Sequence, residues 1–175
     1  MTDIPSWTSL EERVYLRQLA AEVPDGGEIL EIGCLYGGTT YELASVNPKV
    51  FVLSIDNFSW TPEGYPQVSP ELTAENLHSR GIRNVNIWMG TSEEAARHWD
   101  KQVDLCFIDG GHSYQYVNAD LNNFAKFSKV IALHDYHNPA EWMGITRAVD
   151  EFLLSHDEWY LANITGMIVT LRRRS

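Results

Sequence analysis

The sequence predicts a doubly wound α/β fold built on a mostly parallel sheet. Short apolar runs alternate along the chain with polar segments of helical length, which is typical of βαβ units. The run VDLCFID at 103–109 has almost no polar residue inside it, and such strands suit a parallel sheet covered on both faces. The last two runs, EWYLANI and MIVTLRR, are joined by Thr-Gly and predict a hairpin that adds an antiparallel strand.

The elements follow in order from their patterns and turn residues. Thr8 and Glu11 have capping-box spacing, so an N-terminal helix is predicted within 1–24, ending at Pro24. The proline-rich stretch 57–70 predicts an irregular loop. The other predicted strands are EILEIG, KVFVLSID, VNIWMG and KVIALHD. The other predicted helices are GGTTYELASVN, ELTAENLHSRG, SEEAARHW, YQYVNADLNNFAKF and EWMGITRAVDEFLLSH.

Composition restricts the class of protein. With 175 residues the chain can bury one core and is short for two ordinary domains, so 1–175 is predicted to be a single domain. The net charge of -11 disfavours nucleic acid and anionic membranes as partners and favours a neutral or cationic small molecule. Cys34 and Cys106 lack redox or zinc spacing, no run has the length of a membrane span, and the acidic start does not resemble a signal peptide. These features predict a cytoplasmic protein.

Four of the five predicted parallel strands end in an acid. Ligands of doubly wound sheets collect at the carboxyl ends of the strands. The residues at these ends are Glu31-Ile32-Gly33, Asp56-Asn57, Met89-Gly90-Thr91, Asp109-Gly110-Gly111-His112 and His134-Asp135. Each acid alone is equally consistent with helix capping, and Asp109 suits a cap for the helix that starts near Ser113. Four acids on one edge of the sheet favour a binding site.

The first turn, EIGCLYGGTT, resembles a dinucleotide fingerprint only in part. Leu35 occupies the position of the middle glycine that a pyrophosphate requires. Glu31, two residues before Gly33, would repel a phosphate and attract an amino group or a cation. Asp56 lies where nucleotide-binding folds place a ribose-binding acid, although it also suits a turn ahead of Asn57. The combination predicts a ligand that carries positive charge.

Five segments together resemble the Rossmann-type S-adenosylmethionine-dependent methyltransferases. These segments are ILEIGCLYGGTT, VLSIDNF, VNIWMGTSEEA, VDLCFIDGGHSYQYVNADL and VIALHDY. The resemblance covers nearly the whole chain from about Glu28. It implies a seven-stranded sheet of order 3-2-1-4-5-7-6 with the last strand antiparallel, a cofactor-binding core over 28–135 and a C-terminal hairpin over 156–172.

The resemblance also implies which residues hold S-adenosylmethionine. It assigns Glu31, Gly33 and Gly37 to the methionine part, Asp56 and Asn57 to the ribose, Gly90, Thr91 and Ser92 to the adenine, and Asp109 to the neighbourhood of the methyl group. Gly110 and Gly111 are predicted to leave room for substrate or cofactor against the backbone.

FIDGGHSY and ALHDY look most like the small bacterial branch related to macrocin-type and catechol-type O-methyltransferases. By resemblance, Asp109 and Asp135 bind Mg²⁺ or Mn²⁺, and His112 is the general base. His134 stands where related sites usually have another oxygen ligand, and as a ligand it favours a softer ion such as Mn²⁺. His137 is either a second candidate base or a plain loop residue.

The sequence gives the fewest indications about the site that binds the methyl acceptor. Aromatic residues in loops either line a substrate pocket or pack their loops onto the domain; they are Trp60, Tyr65, Tyr136 and Trp142. Without an inserted cap domain, the pocket is expected to use the 57–70 loop, the 136–142 loop, the N-terminal helix or a second subunit of a homo-oligomer.

The predicted function is metal-assisted O-methylation of a small hydroxylated molecule, such as a sugar-containing natural product or a catechol. Three alternatives stay open from the sequence. One is a nicotinamide-dependent dehydrogenase, which Leu35 and Glu31 disfavour. Another is a non-catalytic module that binds the cofactor and serves a regulatory role. The third is a metal-dependent hydrolase or hydroxylase that uses Asp109, His112 and Asp135.

Overall fold

The computed structural model describes residues 3–140 and 143–174, and within them seven strands alternate with six α-helices. The strands are β1 (Glu28–Ile32), β2 (Phe51–Asp56), β3 (Val85–Met89), β4 (Val103–Ile108), β5 (Ser128–Leu133), β6 (Trp159–Thr165) and β7 (Ile168–Arg173). The helices are α1 (Leu10–Ala21), α2 (Gly38–Ala44), α3 (Pro70–His78), α4 (Ser92–Ala96), α5 (Tyr114–Phe124) and α6 (Ile145–Ser155).

All seven strands lie in one sheet of order β3-β2-β1-β4-β5-β7-β6, which confirms the predicted fold class. Strands β1 to β5 pair in parallel, while β7 runs antiparallel to both β5 and β6. The chain builds outward from β1 to β3 and then returns to β4 beside β1. This reversal is the topological switch point, where the carboxyl ends of β1, β2, β4 and β5 can surround a ligand.

Two apolar layers cover the sheet, one on each face. Ile29 belongs to the layer that also contains side chains of α1, α2 and α3. Leu30 and Ile32 belong to the opposite layer, with side chains of α5 and α6. Because side chains alternate along a strand, Glu31 faces the same layer as Ile29 and is fully buried there. A carboxylate thus occupies a core position in the middle of the sheet.

The N-terminal helix begins one residue later than the sequence predicts. The observed capping box joins Ser9 and Glu12, so the prediction of Thr8 and Glu11 is wrong. The Ser9 backbone N–H donates to Glu12 Oε2 at 2.6 Å, whereas the Thr8 hydroxyl pairs with that of Ser6. This register buries Glu12 together with Leu16, because residues four apart share one face of a helix.

The helices on the other face are shorter than their sequence patterns suggest. Helix α4 ends at Ala96 rather than Trp99, and a 3-10 turn at 125–127 follows α5. Helix α6 begins at Ile145, and Trp142, which the sequence places in a loop over the site, lies outside the described residues. Gly144, the residue before α6, packs closely on the start of α5. A Cβ at this position would lie 2.1 Å from the Tyr114 backbone nitrogen.

The state of the two cysteines and the character of the helices can also be described. Cys34 and Cys106 are buried free thiols, as expected for cysteines without a redox or zinc pattern. Among the residues 3–140 and 143–174, no helix combines the length and the apolar character that crossing a bilayer requires.

Candidate active site

Two acids and two histidines meet where β4 and β5 end. Asp109 directly follows β4, and His134 and Asp135 directly follow β5. The parallel register pairs Ile108 with Leu133, so the residues just beyond these two positions emerge side by side at the same edge of the sheet. His112 comes from the loop between β4 and α5. The structure therefore brings together the predicted metal ligands and the predicted base.

His134 is the centre of this group. Its Nδ1 lies 3.4 Å from Asp109 Oδ1 and 3.4 Å from Asp135 Oδ2. The His134 and Asp135 side chains are buried, and Asp109 is only partly exposed. An imidazole nitrogen and two carboxylate oxygens consequently face one small, largely dry space.

The backbone at Asp135 is held in a left-handed conformation with φ of 60°. Such a conformation is uncommon for a residue with a side chain and persists only where the surroundings enforce it. Here Asn138 donates from Nδ2 to Asp135 Oδ1 at 2.7 Å, which leaves Oδ2 directed at His134 and His112. The strained turn thus aims one oxygen of Asp135 into the group.

His112 completes the arrangement from the other side. Its Nε2 lies 3.4 Å from Asp135 Oδ2 and 3.7 Å from Asp109 Oδ1. Its backbone carbonyl accepts a hydrogen bond from Gly144 N at 2.8 Å, which fixes the loop against the start of α6. The imidazole is about one-third exposed, but its Nε2 is buried beside the two carboxylates, so an acceptor molecule can approach only the rest of the ring.

The charges of the group support one another. Burial opposes the charged form of His134, but its interactions with Asp109 and Asp135 outweigh burial and raise its pKa to about 11. Burial likewise opposes ionisation of Asp109 and Asp135, yet the neighbouring histidines hold the pKa of both carboxyls below the ordinary value. Interaction with Asp109 raises the pKa of His112. The two carboxylates therefore stay ionised and stabilise positive charge beside them, here that of the His134 imidazolium.

The geometry of the three innermost groups fits a divalent metal ion. One ligand atom each from Asp109, His134 and Asp135 lies within 4.8 Å of the others. Donor atoms of an octahedral ion with bonds of about 2.1 Å lie roughly 3–4 Å apart, and the 3.4 Å separations from His134 Nδ1 fall in that range. Two oxygens and one nitrogen are also a donor set that Mn²⁺ accepts readily.

Glu12 reaches the same group from α1, and sequence reasoning missed it. Its Oε2 lies 3.5 Å from His134 Nε2, on the side of the ring away from Asp109 and Asp135. Its Oε1 accepts a hydrogen bond from Met167 N in the β6–β7 turn at 2.7 Å. The available signal was the Ser9 and Glu12 spacing, which predicts a capping box and gives no indication of a contact with β5.

Glu31, predicted to hold the methionine part of the cofactor, is enclosed by hydroxyl groups. Thr39 and Thr40 of α2 and Ser54 of β2 donate to its carboxylate at 2.6, 2.5 and 2.6 Å. Burial outweighs these hydrogen bonds and raises the pKa of Glu31 to about 7. The carboxylate therefore links β1 and β2 to the start of α2 through hydrogen bonds, and it stabilises the glycine turn that lies between β1 and α2.

The Glu31 carboxyl predicts a specific pH dependence of stability. Below pH 4.5 it is protonated in both folded and unfolded chains; between 4.5 and about 7 only the unfolded chain loses the proton. Stability therefore falls as pH rises through this window, by about 3 kcal/mol in total. Glu31→Gln removes this contribution, so urea unfolding without cofactor should show the variant gaining that amount relative to wild type between pH 4.5 and 7.5. A difference that stays constant with pH would contradict the assignment.

The predicted glycines of the first turn have structural reasons of their own. Gly33 has φ of 89°, and a Cβ there would lie 2.2 Å from the Asp109 carbonyl oxygen. Gly37 has the same φ, and its Cβ would press on Thr73 and Leu77 of α3. Gly33 thus allows the β4 end to pack beside the β1 end, which places Asp109 next to the turn assigned to the cofactor.

Asp56 orients the same turn. Its Oδ2 accepts hydrogen bonds from the backbone N–H groups of Cys34 and Leu35 at 3.0 and 2.8 Å, and its Oδ1 accepts from Phe58 N at 2.7 Å. Asn57 is exposed and accepts from Ser59 N. Asp56 and Asn57 lie at the end of β2, where the sequence predicts the ribose site. Their contact with a ribose stays a prediction.

The residues predicted to flank adenine lie at the β3 end. Thr91 caps α4 and pairs with Glu94 in a capping box. The Ser92 hydroxyl donates to Asp120 of α5 at 2.5 Å, and burial raises the pKa of that carboxyl to about 6. A Cβ at Gly90 would lie 2.5 Å from the Trp88 indole, so the glycine lets this ring fold over the strand end.

Gly110 and Gly111 pack closely against side chains of the same chain, and their predicted role beside a ligand stays a prediction. A Cβ at Gly110 would lie 3.1 Å from Ile32 Cγ2, and one at Gly111 would lie 2.8 Å from the Tyr116 ring. The room beside these glycines is therefore occupied by side chains of the same chain. They allow the loop that carries His112 to pack closely against Ile32 and Tyr116.

The loop aromatics fall into two groups. Trp60 and Tyr65 are exposed on the 57–70 loop and pack against Trp7, with ring centroids 6.3 and 5.3 Å apart. Trp7, which sequence reasoning did not single out, also stacks on Tyr36 of the glycine turn. Tyr136 is buried instead, and its hydroxyl donates to Asp150 of α6 at 2.9 Å, so it packs its loop rather than overhanging the site.

Comparison with known proteins decides the family. Residues 30–136, more than half of the 175-residue chain, match the family model described as a methyltransferase domain. The chain belongs to the methyltransferase family. The matched segment runs from β1 to the residue after Asp135 and includes the ends of β1, β2, β3, β4 and β5.

Solved structures show that the methyltransferase has the Rossmann-like fold of its family. It is similar to the O-methyltransferase NovP, with a TM-score of 0.76, 18% identity, and coverage of 95% of this chain and 81% of that chain. It is similar to cofactor-bound Rv0187 from MTB, with a TM-score of 0.75, 18% identity, and coverage of 98% and 84%. It is also similar to the O-methyltransferase from Bacillus cereus in complex with S-adenosylhomocysteine, with a TM-score of 0.71, 16% identity, and coverage of 98% and 85%. A comparison with curated proteins gave no match.

The family result bears on the alternatives left open by the sequence. It confirms the resemblance to S-adenosylmethionine-dependent methyltransferases and removes the nicotinamide-dependent dehydrogenase from consideration.

Proposed function

We propose that this methyltransferase moves the methyl group of S-adenosylmethionine to a hydroxyl oxygen of a small molecule with the help of a divalent cation. The observation that carries the proposal is the convergence of Asp109, His112, His134 and Asp135 at the ends of β4 and β5. This group lies beside the glycine turn at the β1 end, because Gly33 packs directly on the Asp109 backbone. A methyl donor held at the turn would therefore present its methyl group next to the carboxylates.

The ends of β1, β2 and β3 are proposed to hold the cofactor. Asp56 has already ordered the backbone of the glycine turn through Cys34 and Leu35, so little rearrangement is needed when a ligand binds. The acidic surroundings of the turn suit the positive charge of a sulfonium and an amino group. The family match and the Bacillus cereus relative, whose structure contains S-adenosylhomocysteine, support the same ligand.

Asp109, His134 and Asp135 are proposed to hold the cation through Oδ1, Nδ1 and Oδ2. When bound, a divalent ion lowers the pKa of an acceptor hydroxyl and neutralises the carboxylates that otherwise favour the protonated form of His112. The nitrogen donor makes Mn²⁺ the ion to test first.

His112 is proposed to take the proton of the acceptor hydroxyl on its imidazole ring. The acceptor oxygen then forms a bond to the methyl carbon as the carbon–sulfur bond breaks, and S-adenosylhomocysteine leaves with the electron pair on sulfur. Most of the acceleration is expected from aligning oxygen, carbon and sulfur, since an in-line displacement depends strongly on orientation.

The acceptor is proposed to be a neutral hydroxylated molecule with an aromatic or sugar part. The net charge of -11 disfavours anionic substrates, and Trp7, Trp60 and Tyr65 offer exposed ring faces beside the glycine turn. Sugars and planar aromatic groups both stack on such rings.

Calorimetric titration tests the function. Purified protein should bind S-adenosylmethionine and S-adenosylhomocysteine, and a panel of catechols and glycosides should contain an acceptor that is methylated faster when Mn²⁺ is present. Absence of cofactor binding with and without Mn²⁺ would overturn the proposal. Cofactor binding without methylation of any acceptor would favour the regulatory module, and acceptor cleavage or hydroxylation without methyl transfer would favour the metal-dependent hydrolase or hydroxylase.

A further inference from the structure

We infer that Glu12, on the N-terminal helix, is a positioning residue of the metal centre that sets the orientation and the tautomer of His134. The inference rests on the proposed function, because it assumes that His134 Nδ1 is a metal ligand. It extends that function by adding a residue from α1, far from the strand ends in sequence, to the machinery of the site.

The first support is the pairing of two buried groups. Glu12 Oε2 lies 3.5 Å from His134 Nε2, and both side chains are almost fully buried. In the part of the chain that the structure describes, His134 Nε2 is a buried nitrogen without a hydrogen bond. Leaving such a group unsatisfied is costly, so a small adjustment that closes the hydrogen bond to Glu12 is favoured.

The second support is the way the Glu12 carboxylate is held. The Ser9 backbone N–H donates to Oε2 at 2.6 Å, and the Met167 backbone N–H donates to Oε1 at 2.7 Å. Gly166 leaves the space for this contact, because a Cβ there would lie 2.5 Å from Oε1. The carboxylate is therefore clamped between α1 and the β6–β7 turn before any ligand arrives.

The two ring nitrogens of His134 then have separate tasks. In the metal-bound protein Nε2 would keep its proton and donate it to Glu12, while Nδ1, which lies 3.4 Å from an oxygen of each of Asp109 and Asp135, would release its proton and direct its lone pair at the cation. Metal-bound histidines commonly donate their second ring N–H to a carboxylate, which fixes the ring and increases its basicity. Glu12 supplies that carboxylate in this chain.

The competing explanation is that Glu12 serves only the capping box of α1. Replacing Glu12 by glutamine leaves one acceptor oxygen where three N–H groups converge, so both the cap and the contact with His134 are weakened. Replacing Ser9 by alanine weakens the same cap and leaves the Glu12 carboxylate and its Met167 contact intact. The two variants therefore separate the structural effect from the effect on the metal centre.

Mn²⁺ binding, followed by electron paramagnetic resonance on the full chain, is the test. Glu12→Gln should bind Mn²⁺ about 10–100-fold more weakly than wild type, whereas Ser9→Ala should stay within about twofold of wild type although its melting temperature falls. Wild-type affinity in Glu12→Gln would overturn the inference, as would an equal loss of affinity in Ser9→Ala. If wild type itself binds no Mn²⁺, the metal part of the proposed function fails as well.

Nuclear magnetic resonance of the ring nitrogens covers the case in which Glu12→Gln does not fold. Wild-type protein saturated with diamagnetic Zn²⁺ should show the His134 resonances of a ring protonated at Nε2 and ligated through Nδ1, assigned by their loss in His134→Gln. A His134 ring protonated at Nδ1 would overturn the inference even if Zn²⁺ binds with high affinity.

Discussion

Asp109→Asn is expected to abolish Mn²⁺ binding and to lower kcat by roughly a thousandfold, the equivalent of about 4 kcal/mol. Asp109 has a double role, since its Oδ1 faces His134 Nδ1 at 3.4 Å and His112 Nε2 at 3.7 Å. An asparagine keeps the shape but removes the negative charge that attracts the cation and orients both imidazoles. Steady-state methyl transfer with a radiolabelled cofactor, measured over a range of Mn²⁺ concentrations, gives both quantities.

Asp104→Asn is the matched control on the same strand. Asp104 lies near the start of β4, at the end of the strand opposite Asp109. Its Oδ2 accepts a hydrogen bond from Glu28 N at 3.0 Å. Its replacement should lower stability and leave kcat and the Mn²⁺ dependence unchanged. If Asp109→Asn retains turnover within about tenfold of wild type and still responds to Mn²⁺, the cation is bound elsewhere.

His112→Ala is expected to lower kcat by about 10²–10⁴ while the affinity for S-adenosylhomocysteine stays close to that of wild type. The reason is position: His112 touches Asp109 and Asp135 at the β4 and β5 ends, whereas the cofactor is assigned to the ends of β1, β2 and β3. A group that acts only on the acceptor proton should affect turnover far more than cofactor binding. Paired turnover and calorimetric measurements on the same preparation separate the two.

His137→Ala is the control for this second variant. His137 is exposed in the loop after β5 and its ring lies against Tyr136, with centroids 4.0 Å apart. It should retain wild-type kcat. Normal turnover in His112→Ala together with a large loss in His137→Ala would transfer the role of base to His137.

Much of the site was predictable because parallel strands end at the same edge of a sheet. The apolar runs before Asp109 and Asp135 identify β4 and β5, and strands that follow one another in sequence are usually neighbours in the sheet. The same logic places Asp56 beside the glycine turn, where three backbone N–H groups surround its carboxylate. The periodicity of apolar residues and the turn residues therefore predict both the fold and the positions of the main acids.

The rest depends on contacts between elements distant in sequence, which local patterns do not encode. Glu12 differs from Glu11 by a single position in a helix, and only the packing of α1 on the sheet decides which carboxylate faces His134. The enclosure of Glu31 by hydroxyls of α2 and β2 has the same origin. The contacts of Trp7 were not predicted because its partners lie on a loop whose course no sequence pattern specifies.

Anomalous scattering from crystals soaked in Mn²⁺ tests the central claim most directly. We expect a peak within about 2.3 Å of Asp109 Oδ1, His134 Nδ1 and Asp135 Oδ2, and its loss in crystals of Asp109→Asn. Crystals saturated with Mn²⁺ that show no peak between these three side chains, or an equal peak in Asp109→Asn, would contradict it.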